Sequence, residues 1–137
     1  MLLQTTNLRR LVLARLNPGD DLLLALRQAV AESGIRHGVV LAGIGSLSRY
    51  HVHVVKTTNL PPGDVFFEQE GPFDILCLSG YILEGRVHAH LTVSDTEKAI
   101  GGHLEEGCRV LTFAVVTLAE TDAAADLTGW DQVGPLW

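Results

Sequence analysis

At 137 residues the chain has the size of one domain with its own core. Its apolar fraction is 47% before any of the 14 glycines are counted, whereas average usage reaches about 45 to 50% with glycine included, so some apolar surface is expected to lie between subunits. A formal charge of −6, with ten basic residues scattered rather than striped, works against unassisted binding to a phosphate backbone.

No run approaches the roughly 18 apolar residues of a membrane span, and no charged segment leads into a hydrophobic stretch at the N-terminus. The expected location is therefore the cytoplasm, with no membrane partner. Cys77 and Cys108 lie inside apolar runs without a CxxC partner, which predicts buried thiols rather than a disulfide or a nucleophile.

In chain order, Leu8 to Leu16 (LRRLVLARL) reads as a strand, and Asn17-Pro18-Gly19 breaks it. Asp20 or Asp21 can cap the helix that follows. In DDLLLALRQAVAESG, Leu22, Leu23, Leu26, Ala29 and Val30 share one broad face opposite Arg27, Gln28 and Glu32, and Gly34 is placed to end the helix. Residues 38–45, GVVLAGIG, form an apolar run suited to a strand buried on both faces. The GIGS at its end lacks a GxGxxG frame and a following helix with Lys, so it reads as a tight strand exit. Ser48 to Lys56 alternates, with Arg49, His51, His53 and Val55 on one face. No third histidine follows on a nearby return, so His51 and His53 read as a polar sheet face or subunit contact.

TNLPPGD is a loop, VFFEQE a short strand, and Gly71-Pro72 a turn. Phe73 to Glu84 is a long apolar strand in which Gly80 marks a bulge or a close approach. Glu84-Gly85 then turns the chain in a hairpin. The next strand, RVHAHLTV, places His88, His90 and Thr92 on one face and Val87, Ala89, Leu91 and Val93 on the other. Imidazoles at i and i+2 stand on Cα atoms about 7 Å apart and can converge on one ion at about 2.0 to 2.1 Å. Ser94, Asp95 and Thr96 form a turn, and Gly101-Gly102 brings His103 back beside the first two histidines.

Three neutral imidazoles with an open fourth position are a ligand set of catalytic zinc, whereas structural zinc is usually closed by cysteines. The alternative is a set of polar side chains on a solvated strand. Glu105 and Glu106 are candidates for a fourth ligand, a hydrogen-bond partner of a ligand, or a general base, and otherwise belong to a solvated turn. Arg86 is a candidate anion anchor, or a solvated residue beside the turn. Arg109 to Ala119 is a further central strand, and residues 121–137 are expected to wrap the surface, pinned by Trp130 or Trp137. About seven strands, one principal helix and hairpin-like connections predict a mainly antiparallel α+β domain over residues 1–137, with its core between about residues 8 and 120.

GPFDILCLSGYI, HAHLTVSD and IGGHLEEGCRVLTFAVV, in that order and preceded by LNPGDDLLLAL and VLAGIGSLS, resemble the PPC (or PCC) domain, the plants and prokaryotes conserved domain. The resemblance covers about residues 8–120. Stand-alone prokaryotic members are often described as DNA-binding proteins with a PD1-like motif. The resemblance implies an antiparallel α+β fold, a homotrimer, and a metal held by the H-x-H and GGH histidines, here His88, His90 and His103. Two departures stand out: SDTEKAIGGH lacks the Asp-Gly type turn common in the family, and these 137 residues contain no Arg-Gly-Arg-Pro core of the AT-hook that plant relatives use on DNA.

The fold implied is also distantly similar to alpha-acetolactate decarboxylase and to a zinc-dependent ester hydrolase, both with a histidine triad on zinc. Three functions are therefore expected to compete. One is a homotrimeric metal-binding domain with a DNA-binding or regulatory role without an AT-hook. Another is a zinc enzyme acting on a small carbonyl or ester ligand. The third is a structural oligomerisation module whose histidines stay empty.

Overall fold

Strands β1 (Leu8–Leu16), β2 (Gly38–Val55), β3 (Asp64–Leu83), β4 (Arg86–Ser94), β5 (Ala99–Leu104) and β6 (Arg109–Thr121), with helix α1 (Leu22–Ser33) after β1, make up the computed structural model, which describes residues 1–136. All pairings are antiparallel, in the order β1-β6-β2-β3-β4-β5, and β5 pairs a second time with β2. The α+β expectation holds in its antiparallel sheet and single principal helix.

Two predicted breaks are irregularities inside long strands, so four predicted strands merge into β2 and β3. With the return to His103 forming β5, the sheet has six strands rather than about seven. Leu47 pairs with Phe73 and Arg49 with Glu70, so Gly71 and Pro72 together oppose Ser48. That is a bulge, where a proline removes no ladder bond, and both β2 and β3 run through it. A second shift, between Ile75 and Cys77, pairs Ile75 with Val93 and Cys77 with Thr92. The extra residue turns Leu76 and Cys77 outward, so Cys77 is exposed, contrary to expectation, while Cys108 is buried as expected. Gly80 is a close approach instead of a bulge: a Cβ there would stand 2.2 Å from the His88 carbonyl oxygen.

Asp21 is the residue that caps α1, its Oδ1 accepting from the Leu24 amide at 3.0 Å and its Oδ2 from the Gly107 amide at 2.6 Å. One carboxylate thus starts the helix and ties it to the turn before β6. Gly34 ends the helix in the left-handed conformation with φ 68°. Leu22, Leu26 and Val30 are buried on one sheet face, in a core with Leu78, Ile82, Leu91, Val93, Val116 and Leu118. Each such side chain contributes roughly 1.5 to 3 kcal/mol on burial.

The opposite sheet face has no helix over it. Leu11, Leu13, Ile44, Tyr81 and Phe113 are exposed there, Leu13 at 71% and Ile44 at 60%. The histidine strand turns its polar side to this same face. After β6 the chain is held by side chains of other elements, with Asp122 accepting from Thr6 Oγ1 at 2.8 Å. Trp130 is 38% exposed, and Trp137, the other aromatic expected to pin the tail, lies outside the described residues. No helix among the described residues is long and apolar enough to cross a membrane.

Candidate metal centre

The β3–β4 hairpin turns on two residues, Glu84 with φ 52° and Gly85 with φ 78°, and Leu83 pairs with Arg86. Two positive φ values in a two-residue loop are the type I′ geometry that suits the strand twist. This register sets His88 opposite Tyr81 and His90 opposite Ser79. The β4–β5 turn, Asp95–Lys98, needs no glycine: Asp95 Oδ1 accepts from the amides of Glu97 at 2.8 Å and Lys98 at 2.9 Å. An Asx-type closure replaces the Asp-Gly turn and pairs His90 with His103.

The expected strand-and-return arrangement therefore brings His88, His90 and His103 onto one face. The structure then adds a residue that the sequence reading set aside. Beyond Arg49 the free edge of β2 passes from β6 to β5, and His53 pairs directly with His103. Gly102 permits this closure, since a Cβ there would stand 2.5 Å from the His53 carbonyl oxygen. The third histidine that His53 lacked on its own return is supplied by β5. His103 is the hub, with its ring centroid 4.4 Å from His53, 4.7 Å from His88 and 5.7 Å from His90.

Carboxylates flank the cluster on two sides. Glu105 Oε1 lies 2.5 Å from His53 Nδ1 and 3.6 Å from His103 Nδ1, and Asp64 Oδ1 lies 3.5 Å from His53 Nε2. Asp131 Oδ2 lies 3.1 Å from His88 Nδ1. The tightest donor group is His53, His103 and Glu105, with three ligand atoms within 4.8 Å of one another. It shares His103 with the expected set and draws its other members from β2 and the end of β5.

Glu106 is not at the cluster: its carboxylate pairs with Arg27 at 2.5 Å, and its backbone carbonyl meets His51 Nδ1 at 2.7 Å. Arg86 is engaged by Asp131 through both terminal nitrogens at 3.3 Å.

The charge state suits a cation. Burial, followed by the neighbouring imidazoles, pushes the pKa of His103 down, with Glu105 opposing; burial and then His88 do the same for His90. Both rings favour the neutral, ligating form. The Arg86 hydrogen bond, and then that of His88, holds Asp131 below the usual carboxylate range. His103 Nδ1 is buried with no hydrogen-bond partner, a cost that a coordinated ion would remove. Imidazole nitrogens with a carboxylate are donors that zinc accepts, so these residues fit such an ion.

Two cavities flank the cluster. One, of about 670 Å³, is lined by Val39, Tyr81, His88, His90, Trp130 and Asp131; the other, of about 640 Å³, by His53, Pro61, Pro62, Asp64, His90 and His103.

Among proteins of known description, the bifunctional protein GlmU of Synechococcus sp. (strain JA-2-3B'a(2-13)) is 36% identical over 108 residues, 78% of this chain. The chain spans only 16% of the length of that relative. A metal-containing protein from Archaeoglobus fulgidus has a similar structure, with TM-score 0.80 and 22% identity over 91% of this chain and 89% of that one. A plant- and prokaryote-conserved (PPC) protein from Pyrococcus horikoshii follows at TM-score 0.76 and 24% identity, covering 90% and 86%. A protein described as a candidate DNA-binding protein, from Ralstonia eutropha JMP134, gives TM-score 0.67 and 24% identity over 81% and 77%. These likenesses carry the fold. The profile of the Plants and Prokaryotes Conserved (PCC) domain matches residues 3–122, and the chain belongs to that family.

Proposed function

We propose that this PCC-domain protein is a homotrimer that holds zinc at the histidine cluster, with His88 and His90 contributed by β4 and His103 by β5. The observation that carries the reading is the buried, unpartnered Nδ1 of His103, whose ring packs against those of His53, His88 and His90. His53 and Glu105 stand ready on the other side of that ring. Bound zinc supplies a Lewis acid that polarises a carbonyl or lowers the pKa of water towards about 7. The chain's own residues orient the ligands: the Asp131 carboxylate accepts from His88 Nδ1, and Glu105 pairs with His53 Nδ1. The metal-containing structural relative supports the reading. The uncovered apolar sheet face supports the trimer, because a monomer would leave it in water.

The test is elemental analysis of untagged protein alongside its mass in solution. About one zinc per chain with a mass of three times 14.8 kDa is expected. A metal-free protein, even after incubation with zinc, sinks the proposal.

A DNA-linked regulatory role rests on the description of the Ralstonia relative. The charge of −6 opposes it, since an acidic surface gains nothing from counterion release. An oligonucleotide shifted in mobility at low salt supports that role, and no shift excludes it. A zinc enzyme acting on a small carbonyl or ester ligand is the second reading, favoured by the cavity of about 670 Å³ beside His88 and His90. Of the pair Glu105 and Glu106, Glu105 is then the one within reach of the cluster.

A further inference from the structure

We infer that the C-terminal segment Leu127–Asp131 makes this site selective for a small carbonyl-type ligand with an apolar or aromatic body. In this arrangement Asp131 positions His88, while Leu127 and Trp130 form the wall that receives the body. The inference rests on the zinc reading above. The segment lies beyond residues 3–122, the part of the chain that the family profile matches.

The segment is fixed in place. Gln4 makes reciprocal bonds with the backbone of Asp126, Nε2 to O at 2.6 Å and Oε1 from N at 2.7 Å. The Asp126 carboxylate accepts from the Thr128 amide at 3.0 Å and from its hydroxyl at 2.6 Å. Two successive turns follow, Trp130 N to Leu127 O and Gln132 N to Gly129 O, each at 3.1 Å. This path delivers Asp131 to the end of the β3–β4 hairpin, where it accepts from both Arg86 nitrogens at 3.3 Å and from His88 Nδ1 at 3.1 Å.

Both Arg86 nitrogens hold the Asp131 carboxylate in place at 3.3 Å. Its Oδ2, 3.1 Å from His88 Nδ1, accepts from that nitrogen and so leaves Nε2 as the donor for an ion. Asp131 is thus a positioning residue for a ligand histidine.

The same segment bounds the cavity of about 670 Å³, a size within the roughly 300 to 1,000 Å³ of small-molecule sites. Val39, Leu41 and Tyr81 line it from the sheet and Leu127 and Trp130 from the segment, with His88 and His90 among the polar groups. Most of the lining therefore suits an apolar or aromatic body, and the imidazoles mark where a polar head would meet the ion. A phosphate ester fits poorly, because the nearby cation, Arg86, is already engaged by Asp131 and the Asp131 carboxylate repels a multiply charged anion. A hydroxamate or carbonyl head carrying an aromatic group matches both parts.

The experiment uses the zinc-loaded full chain with two hydroxamates, benzohydroxamate and acetohydroxamate, measured by calorimetry after zinc content has been determined. Benzohydroxamate is expected to bind at least tenfold more tightly. Trp130→Ala and Leu127→Ala each weaken benzohydroxamate by a larger factor than acetohydroxamate, so the preference falls while zinc content stays as in the wild type. Asp131→Asn is expected to weaken zinc about tenfold against a competing chelator, in line with losses of about 10- to 100-fold for partners of metal-bound histidines, and Asp131→Glu to recover part of it. Zinc bound with equal affinity for the two probes, or a preference that survives both wall substitutions, overturns the inference and leaves the zinc reading intact. A wild type without zinc overturns both.

Discussion

His53 on β2 and His103 on β5 face each other across a strand pairing of only two residue pairs, their rings stacked with centroids 4.4 Å apart. This contact closes β2, β3, β4 and β5 into a ring and joins the donors of β2 to those of β4. It makes His103 the ring that touches every other histidine of the cluster.

The hub position predicts a hierarchy among histidine variants. His103→Ala is expected to lose zinc completely, because each donor arrangement passes through it. His88→Ala and His53→Ala remove one donor each from opposite sides of the His103 ring and are expected to weaken zinc binding without abolishing it. Chelator competition on the purified variants orders them. A His103→Ala protein that keeps wild-type zinc would exclude the cluster as the site.

Gly102 is where the β2–β5 closure is most sensitive. A methyl group there meets the His53 carbonyl oxygen at 2.5 Å, so Gly102→Ala must push the two strands apart. Overpacking of this kind costs about 1 to 3 kcal/mol. Denaturant titration should show that loss, together with weaker zinc binding through displacement of His103. Unchanged stability and zinc binding in Gly102→Ala would mean that the pairing is not needed.

The two thiols should behave differently with pH. Burial pushes the pKa of Cys108 up to about 11, and its Sγ lies 3.2 Å from the His51 amide and 3.3 Å from the His51 carbonyl. Between about pH 9 and pH 11 the unfolded chain releases this proton while the folded chain keeps it. The folded state then binds more protons, and stability falls as pH rises, by roughly 2 to 3 kcal/mol across the window. Cys108→Ala should flatten that slope relative to the wild type. Under native conditions a thiol reagent is expected to modify exposed Cys77 quickly and Cys108 only on unfolding. Equal rates for the two would contradict the burial.

The uncovered sheet face gives the test of assembly. Leu13 is 71% exposed, so Leu13→Asp in an isolated chain would change stability by no more than about 0.5 kcal/mol. In a trimer that covers this face it buries a charge, and the solution mass should fall towards 14.8 kDa. A wild-type protein already at 14.8 kDa ends the trimer proposal.

Periodicity and turn chemistry made much of this legible without coordinates. The alternation in RVHAHLTV placed His88 and His90 on the polar face of a strand, and Glu84-Gly85 is the two-residue hairpin that its composition predicts. Asp21 and Gly34 bound the one long helix as a cap and a left-handed terminator should. These features depend on neighbours in the chain, and local rules are sufficient for them.

What local rules could not decide is where strands meet over long separations. Gly71-Pro72 reads as a turn in isolation and is a bulge because β2 continues past it. His53 reads as surface because its partner stands 50 residues away along the chain, on β5. Glu105 and Glu106 are equivalent in sequence, yet one meets His53 and the other Arg27. Asp131 gains its place only because the segment after β6 folds back to the β3–β4 hairpin. Sequence alone determined the helix with its caps, the histidine hairpin and the polar face of its strand, since these follow from the chemistry of adjacent residues. Tertiary structure decided which polar faces share a site, since that depends on the register of strands distant in the chain.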